Sequence, residues 1–207
     1  MPSIAYGVSV GSIQSTVVRT GDQAIDLELS LPAGNAGTLT TRTDNDTGIV
    51  TVASGHGILD TDYVDVYWSG GKRYNVDVTA VTSTTISIDL GSGDNLPSSS
   101  TAVVICKRVT VNLAIDGDNV SLIALAIDNV SSSGYGSRLS FFDAINCGGS
   151  AVGSGLTLSP NVPQVYDITA GMTNPLTGAP ILSISATNGD STYASTLKIK
   201  GVQDVTP

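Results

Sequence analysis

The stretch Ser54-Gly55-His56-Gly57-Ile58-Leu59-Asp60-Thr61-Asp62-Tyr63-Val64-Asp65-Val66-Tyr67-Trp68-Ser69-Gly70-Gly71-Lys72-Arg73-Tyr74-Asn75-Val76-Asp77-Val78-Thr79-Ala80-Val81 reads as the heart of a small β-barrel. A Gly-His-Gly turn opens it. Val64, Val66 and Trp68 alternate with Tyr63, Asp65 and Tyr67, Ser69-Gly70-Gly71 closes a hairpin, and Tyr74, Val76 and Val78 alternate with Arg73, Asp77 and Thr79. A period of two is the signature of a strand with one buried face. Trp68 shares the parity of Val64 and Val66 and is expected in the barrel core with Val76, Val78, Ile86 and Ile88. Asp60, Asp62, Tyr63, Asp65 and Tyr67 are expected on the outer surface.

Working outward, Ile25, Leu27, Leu29 and Leu31 alternate with Asp26, Glu28 and Ser30 before Pro32-Ala33-Gly34-Asn35-Ala36-Gly37 interrupts the pattern. Asp44-Asn45-Asp46-Thr47-Gly48 predicts a turn between strands at 39–43 and 49–53. After a loop at 91–100, the run from Val103 through Val109 to Ile115 predicts the longest strand. Further strands are expected at 122–127, 139–145, 165–168, 181–186 and 197–202. The fold class is all-β: a jelly-roll-like β-sandwich built from residues 1–35 and 109–207, with residues 36–108 inserted as the small barrel. Two tandem domains split near residue 108, with the first thirty residues as an arm, is the alternative.

Composition agrees. The 207-residue chain has a single Glu, four Gln and 23 Gly, a profile poor in helix formers. Charged residues make up only 13%, against about 25% in an average soluble domain, so Ser, Thr, Asn and Gly must form much of the surface. With nine Lys plus Arg against eighteen Asp plus Glu, the net charge is −9, which disfavours phosphate neutralisation and hence nucleic-acid partners. No apolar run approaches the roughly 20 residues of a membrane helix, and Met1-Pro2-Ser3-Ile4 does not read as a signal peptide. Cys106 and Cys147 lack Cys-x-x-Cys spacing and fit reduced thiols made in a cytoplasm.

The segment 55–81 resembles a short module that recurs in bacteriophage virion proteins: Gly-His-Gly-Leu, Gly-Asp-x-Val, an apolar strand, a glycine turn, and a strand with Val-x-x-Val. Here Thr61-Asp62 stands where the module has Gly-Asp. The resemblance implies a virion component made in the host cytoplasm, a capsid decoration or cement protein or a head-fibre-like spike. Its expected partners are other copies of itself, with a trimer favoured, and major capsid or other virion proteins. A tail or neck component, or a cell-surface adhesive or carbohydrate-binding module, is the alternative.

His56 is the only histidine, and Gly7-Val8-Ser9-Val10-Gly11 spells Gly-x-Ser-x-Gly, but in a β-segment rather than the strand-to-helix elbow that this nucleophile motif requires. In the resembling module His56 belongs to a turn, where its ring can bond neighbouring backbone. The Asp-rich turns at 44–48 and 116–119 offer oxygen ligands suited to calcium but complete no EF-hand loop, and no Cys/His cluster serves zinc. A polysaccharide depolymerase would need paired carboxylates, and a single Glu without a β-helical repeat argues against it. The expectation is therefore no catalytic residue, no cofactor and no metal, with Tyr63, Tyr67 and Phe142 as interface residues through their outward rings.

Overall fold

In the computed structural model, the described residues are 6–9, 12–15, 21–92, 96–112, 119–128, 135–142, 156–158, 164–167 and 183–205. All their regular structure is β, in accord with the all-β sandwich carrying a small barrel. The strands are β1 (Tyr6–Ser9), β2 (Ser12–Ser15), β3 (Gly21–Leu31), β4 (Asn35–Arg42), β5 (Thr47–Val52), β6 (Tyr63–Trp68), β7 (Gly71–Val81), β8 (Thr85–Asp89), β9 (Ala102–Lys107), β10 (Val109–Asn112), β11 (Asn119–Asp128), β12 (Ser137–Phe142), β13 (Leu156–Leu158), β14 (Gln164–Asp167), β15 (Ser183–Asn188) and β16 (Ser195–Val205).

Strands β4 to β9 close into a six-stranded barrel in the order β4-β5-β8-β7-β6-β9, every neighbouring pair antiparallel. Closure satisfies the backbone of all six strands and leaves no free edge. The alternation read from the sequence fills the interior with Leu39, Val50, Val52, Ile58, Val64, Val66, Val76, Val78, Ile86, Ile88, Leu96, Val103 and Ile105. Trp68 differs from its expected place. It is half-buried and packs against the edge of this core, with its indole lying on Gly71, where a Cβ would come within 2.7 Å of the ring.

The remaining strands form two four-stranded sheets, β10-β15-β12-β13 and β14-β11-β16-β3, plus the two-stranded β1-β2 ladder. The pattern of the opening segment is realised in β3, which pairs along its whole length with β16, from Gly21↔Val205 to Leu31↔Ser195. Leu27, Leu29 and Leu31 are buried there with Leu197 and Ile199. The expected long strand from Val103 onward is split at Arg108: β9 completes the barrel, and one residue later β10 enters the sandwich. Among the described residues the longest strands are β3, β7 and β16, with 11 residues each, and 113–115 of the expected strand lie outside them. Gly7–Ser9 lies in β1, paired with β2, which is not a nucleophile elbow. Residues 116–118 of the turn expected at 116–119, Cys147 and the side chain of Phe142 lie outside the described residues, while Asn119 begins β11.

Prediction: because Ile86 is 0% exposed in the barrel core, Ile86→Ala should destabilise the protein by about 2–5 kcal/mol, read as a shift of the urea midpoint without a change in slope.

Candidate functional site at the seam between barrel and sandwich

Two faces of one sheet explain the burial of β15, in which all six residues are inaccessible. Register places Val109, Ala186 and Leu139 in one cross-strand row and Val111 and Ile184 in the next, and of these Val111, Leu139, Ile184 and Ala186 are fully enclosed in the sandwich. The opposite parity brings Thr110, Ser185 and Ser140 into a row, with Thr187 and Arg138 beside it, so the second face is polar and also buried. The barrel covers it at Arg138 and Thr187.

What meets that face is Asp65, 1% exposed, from the outer side of β6. Its carboxylate accepts Arg138 Nη1 at 3.2 and 3.3 Å, Thr187 Oγ1 at 2.7 Å and the Asn75 N–H at 3.0 Å. A bulge supplies the last donor. Val64 pairs with Val76 and Val66 with Arg73, so two residues of β7, Tyr74 and Asn75, stand opposite Asp65 alone. Asn75 adopts φ 54°, a left-handed conformation that Asn tolerates better than most residues, and its freed N–H turns to the carboxylate. The Arg138 guanidinium lies 3.9 Å from the centroid of the Tyr74 ring. An ion pair withdrawn from water is stable only with such additional hydrogen bonds, and Asp65 has them.

Aromatic packing extends the seam. Tyr67 is 1% exposed, stacked on Tyr135 at 5.2 Å and edge-on to Tyr74 at 6.1 Å. Burial first, and then the Asp65 carboxylate, push its phenol well above its ordinary pKa. Cys106, opposite Asp65 in the β6–β9 register, is buried on the same outer face, and its thiol is raised by burial, then by Asp65 and Asp190. Gly34 in the linker completes the contact: its N–H donates to Asp190 O at 2.7 Å, and a Cβ there would stand 2.6 Å from Val104 and 2.9 Å from Cys106 Sγ.

These positions correct two expectations. Asp65 and Tyr67 do leave the barrel on its outer face, but that face is covered by the sandwich of the same chain, so neither reaches solvent. Of the expected interface residues, Tyr63 is exposed at 43%, with the Arg108 guanidinium 4.6 Å from its ring centroid. The sugar-stacking alternative needed an accessible Tyr63–Tyr67 pair, and burial of Tyr67 removes it. Asp60 is exposed as expected, whereas Asp62 is half-buried, binding Lys107 Nζ at 2.7 Å and the Leu59 N–H at 2.8 Å.

His56 sits in its turn as the sequence implied. Nδ1 accepts the Ile58 N–H at 3.1 Å, which assigns the proton to Nε2, and Nε2 donates to Thr82 O at 2.8 Å. Both ring nitrogens are thus engaged in joining the 53–62 loop to the β7–β8 turn. Asp44 Oδ1 likewise serves backbone, accepting the N–H groups of Thr47 at 2.7 Å and Asp46 at 2.9 Å, and those bonds hold its carboxyl below the ordinary value. Among the described residues, no three His, Cys, Asp or Glu side chains are grouped to hold a metal ion.

Sequence reasoning missed Asp65, Arg138, Thr187 and Cys106 as one cluster. A signal for one member, Cys106, exists: β9 reads Val103-Val104-Ile105-Cys106, a continuous apolar run that marks a strand covered on both faces.

Two predictions follow from the seam's chemistry. Asp65→Ala leaves a buried guanidinium without its carboxylate and should cost about 3–5 kcal/mol, whereas Asp65→Leu combined with Arg138→Met should recover most of that loss in urea unfolding. In a Cys147→Ser background, Cys106 should react with a thiol reagent at pH 8 only as fast as the protein opens; rapid labelling of the native state would mean that the seam is open.

No protein-family model and no curated protein matches the sequence. Among solved structures, the chain is similar to one in the structure of infectious bursal disease virus Gt strain, at 11% identity over 93% of this chain and 74% of that chain, with a TM-score of 0.19, a value that carries no argument about fold or function.

Proposed function

We propose that this chain is a structural, non-catalytic component of a bacteriophage particle, a capsid decoration or cement protein or a head-fibre-like protein that acts as a homo-oligomer or as many copies on a lattice. The observation that carries the reading is the clamping of the barrel. It enters the sandwich across a single residue, Arg108, and is fastened laterally by Asp65, Arg138 and Thr187, so barrel and sandwich form one stiff β-block. A particle component must transmit force between neighbours, and a domain hung on short linkers and a buried ion pair does so. The engagement of both His56 ring nitrogens with backbone supports a framework role for the Gly-His-Gly turn. The low charge density of the chain, 13% Asp, Glu, Lys and Arg, favours extensive contact with neighbouring subunits.

Sedimentation of the purified chain, together with mass spectrometry of purified particles of the phage whose genome carries it, tests the proposal. Self-association at micromolar concentration and a fixed copy number per particle are expected. A monomer absent from particles overturns it.

A further inference from the structure

The loop between β5 and β6, residues 53–62, closes one end of the barrel. Every neighbouring pair of barrel strands is antiparallel, so this loop shares its end with the start of β4, the β7–β8 turn and the end of β9. It contains no strand, yet it supplies Ile58, 2% exposed, to the barrel core, while the next residue, Leu59, is 56% exposed. A loop has no ladder to hold such a residue in place, so other bonds must.

One of those bonds is made by His56. Nδ1 accepts the Ile58 N–H at 3.1 Å and Nε2 donates to Thr82 O at 2.8 Å, an arrangement open only to the neutral ring with its proton on Nε2. The backbone on either side is left-handed, at Gly55 with φ 83° and at Gly57 with φ 67°, and beyond the flanking residues no atom stands within 4 Å of where a Cβ would be at either. The two glycines let the chain reverse around the ring and leave it room to move. The rest of the loop is tied separately. Asn35 Nδ2 donates to His56 O at 3.2 Å, and Lys107 Nζ reaches Gly57 O at 3.0 Å and Asp62 Oδ2 at 2.7 Å, which also accepts the Leu59 N–H at 2.8 Å. Among the described residues, the charged groups of the elements around the ring are Asp60 and Asp62 of its own loop and Lys107 of β9; the β7–β8 turn and Asn35 bring none.

We propose that His56 is an acid-sensitive latch on this loop: protonation of the ring at Nδ1 releases the Ile58 N–H and frees the segment that closes the barrel end. Imidazole is the side chain that ordinarily changes charge between about pH 5 and 8, and the chain has no other. The two ring bonds respond differently. At Nε2 the hydrogen is already present, so the bond to Thr82 O gains charge assistance and persists. At Nδ1 an acceptor becomes a donor and faces another N–H. The ring therefore stays on the β7–β8 turn while the chain beyond Gly57 lets go, which uncovers Ile58 beside the already exposed Leu59. The latch is a property of a single chain and goes beyond the particle role proposed above, which requires no motion of this loop.

Hydrogen exchange of the full chain, resolved by residue and corrected for the intrinsic effect of pH on exchange, tests the latch at about pH 7.5 and about pH 5 in the wild type and two variants. His56→Asn keeps an oxygen able to accept the N–H two residues on, as in an Asx turn, and does not titrate. His56→Ala has no acceptor. Trp68 emission monitors the folding of each. In the wild type, protection at Ile58 should fall about fivefold on acidification, the worth of one hydrogen bond, while protection in the barrel strands is unchanged. The Asn variant should stay protected at both pH values, and the Ala variant should match the acidified wild type at both. Wild-type protection that does not change with pH overturns the latch. So does a loss that the Asn variant shares, which would belong to Asp60 or Asp62, and so does one that extends through the barrel strands, which would be general acid unfolding.

Discussion

A carboxylate that leaves the barrel and enters the sandwich is the constraint around which the molecule is arranged. Asp65 is nearly inaccessible and accepts hydrogen bonds from Arg138, Thr187 and Asn75, so it ties together β6, β7, β12 and β15. Neither charge is stable at this depth without the other, and removal of either leaves an uncompensated ion in a low-dielectric seam. Without the barrel, Arg138 and Thr187 on the polar face of the β10-β15-β12-β13 sheet would lose the carboxylate that they bind, and the outer side of β6 at Asp65 would be an ordinary barrel exterior without the sandwich. Each makes sense only with the other in place.

Local geometry prepares that meeting. The bulge opposite Asp65 directs the Asn75 N–H to the carboxylate, and the left-handed backbone at Asn75 follows from the extra residue. At the linker, the absence of a Cβ at Gly34 lets the chain pass between Val104, Cys106 and residue 188, with its N–H on Asp190 O. With Arg108 as the sole residue between β9 and β10, the barrel has no slack to swing. A closed barrel also avoids the free edges that an inserted open sheet would expose to pairing with other chains.

The alternation of Val64, Val66, Val76, Val78, Ile86 and Ile88 was sufficient to read the barrel core from the sequence, because a period of two has one solution when one face is buried. The β3 pattern was equally plain. Two things were not legible. Trp68 shares the core parity, yet it lies at the end of β6 beside the Gly70-Gly71 turn, where the core runs out. Alternation places Asp65 and Tyr67 outside because it tells inside from outside for one barrel only. It says nothing about a second body covering the outside. Arg138, 73 residues further along, could not be matched to Asp65 by any local pattern, since that pairing arises from packing between barrel and sandwich. The contacts of His56, by contrast, stay within the barrel, to the Ile58 N–H and Thr82 O.

A fold with two cores but a shared, buried ion pair is expected to lose both cores together. Differential scanning calorimetry of the intact chain measures this directly. The account predicts one transition whose calorimetric and van't Hoff enthalpies agree, barrel and sandwich melting as a unit. Two resolved transitions in the wild-type protein, one for the barrel and one for the sandwich, would contradict it and show that the Asp65 seam does not bind the two into one body.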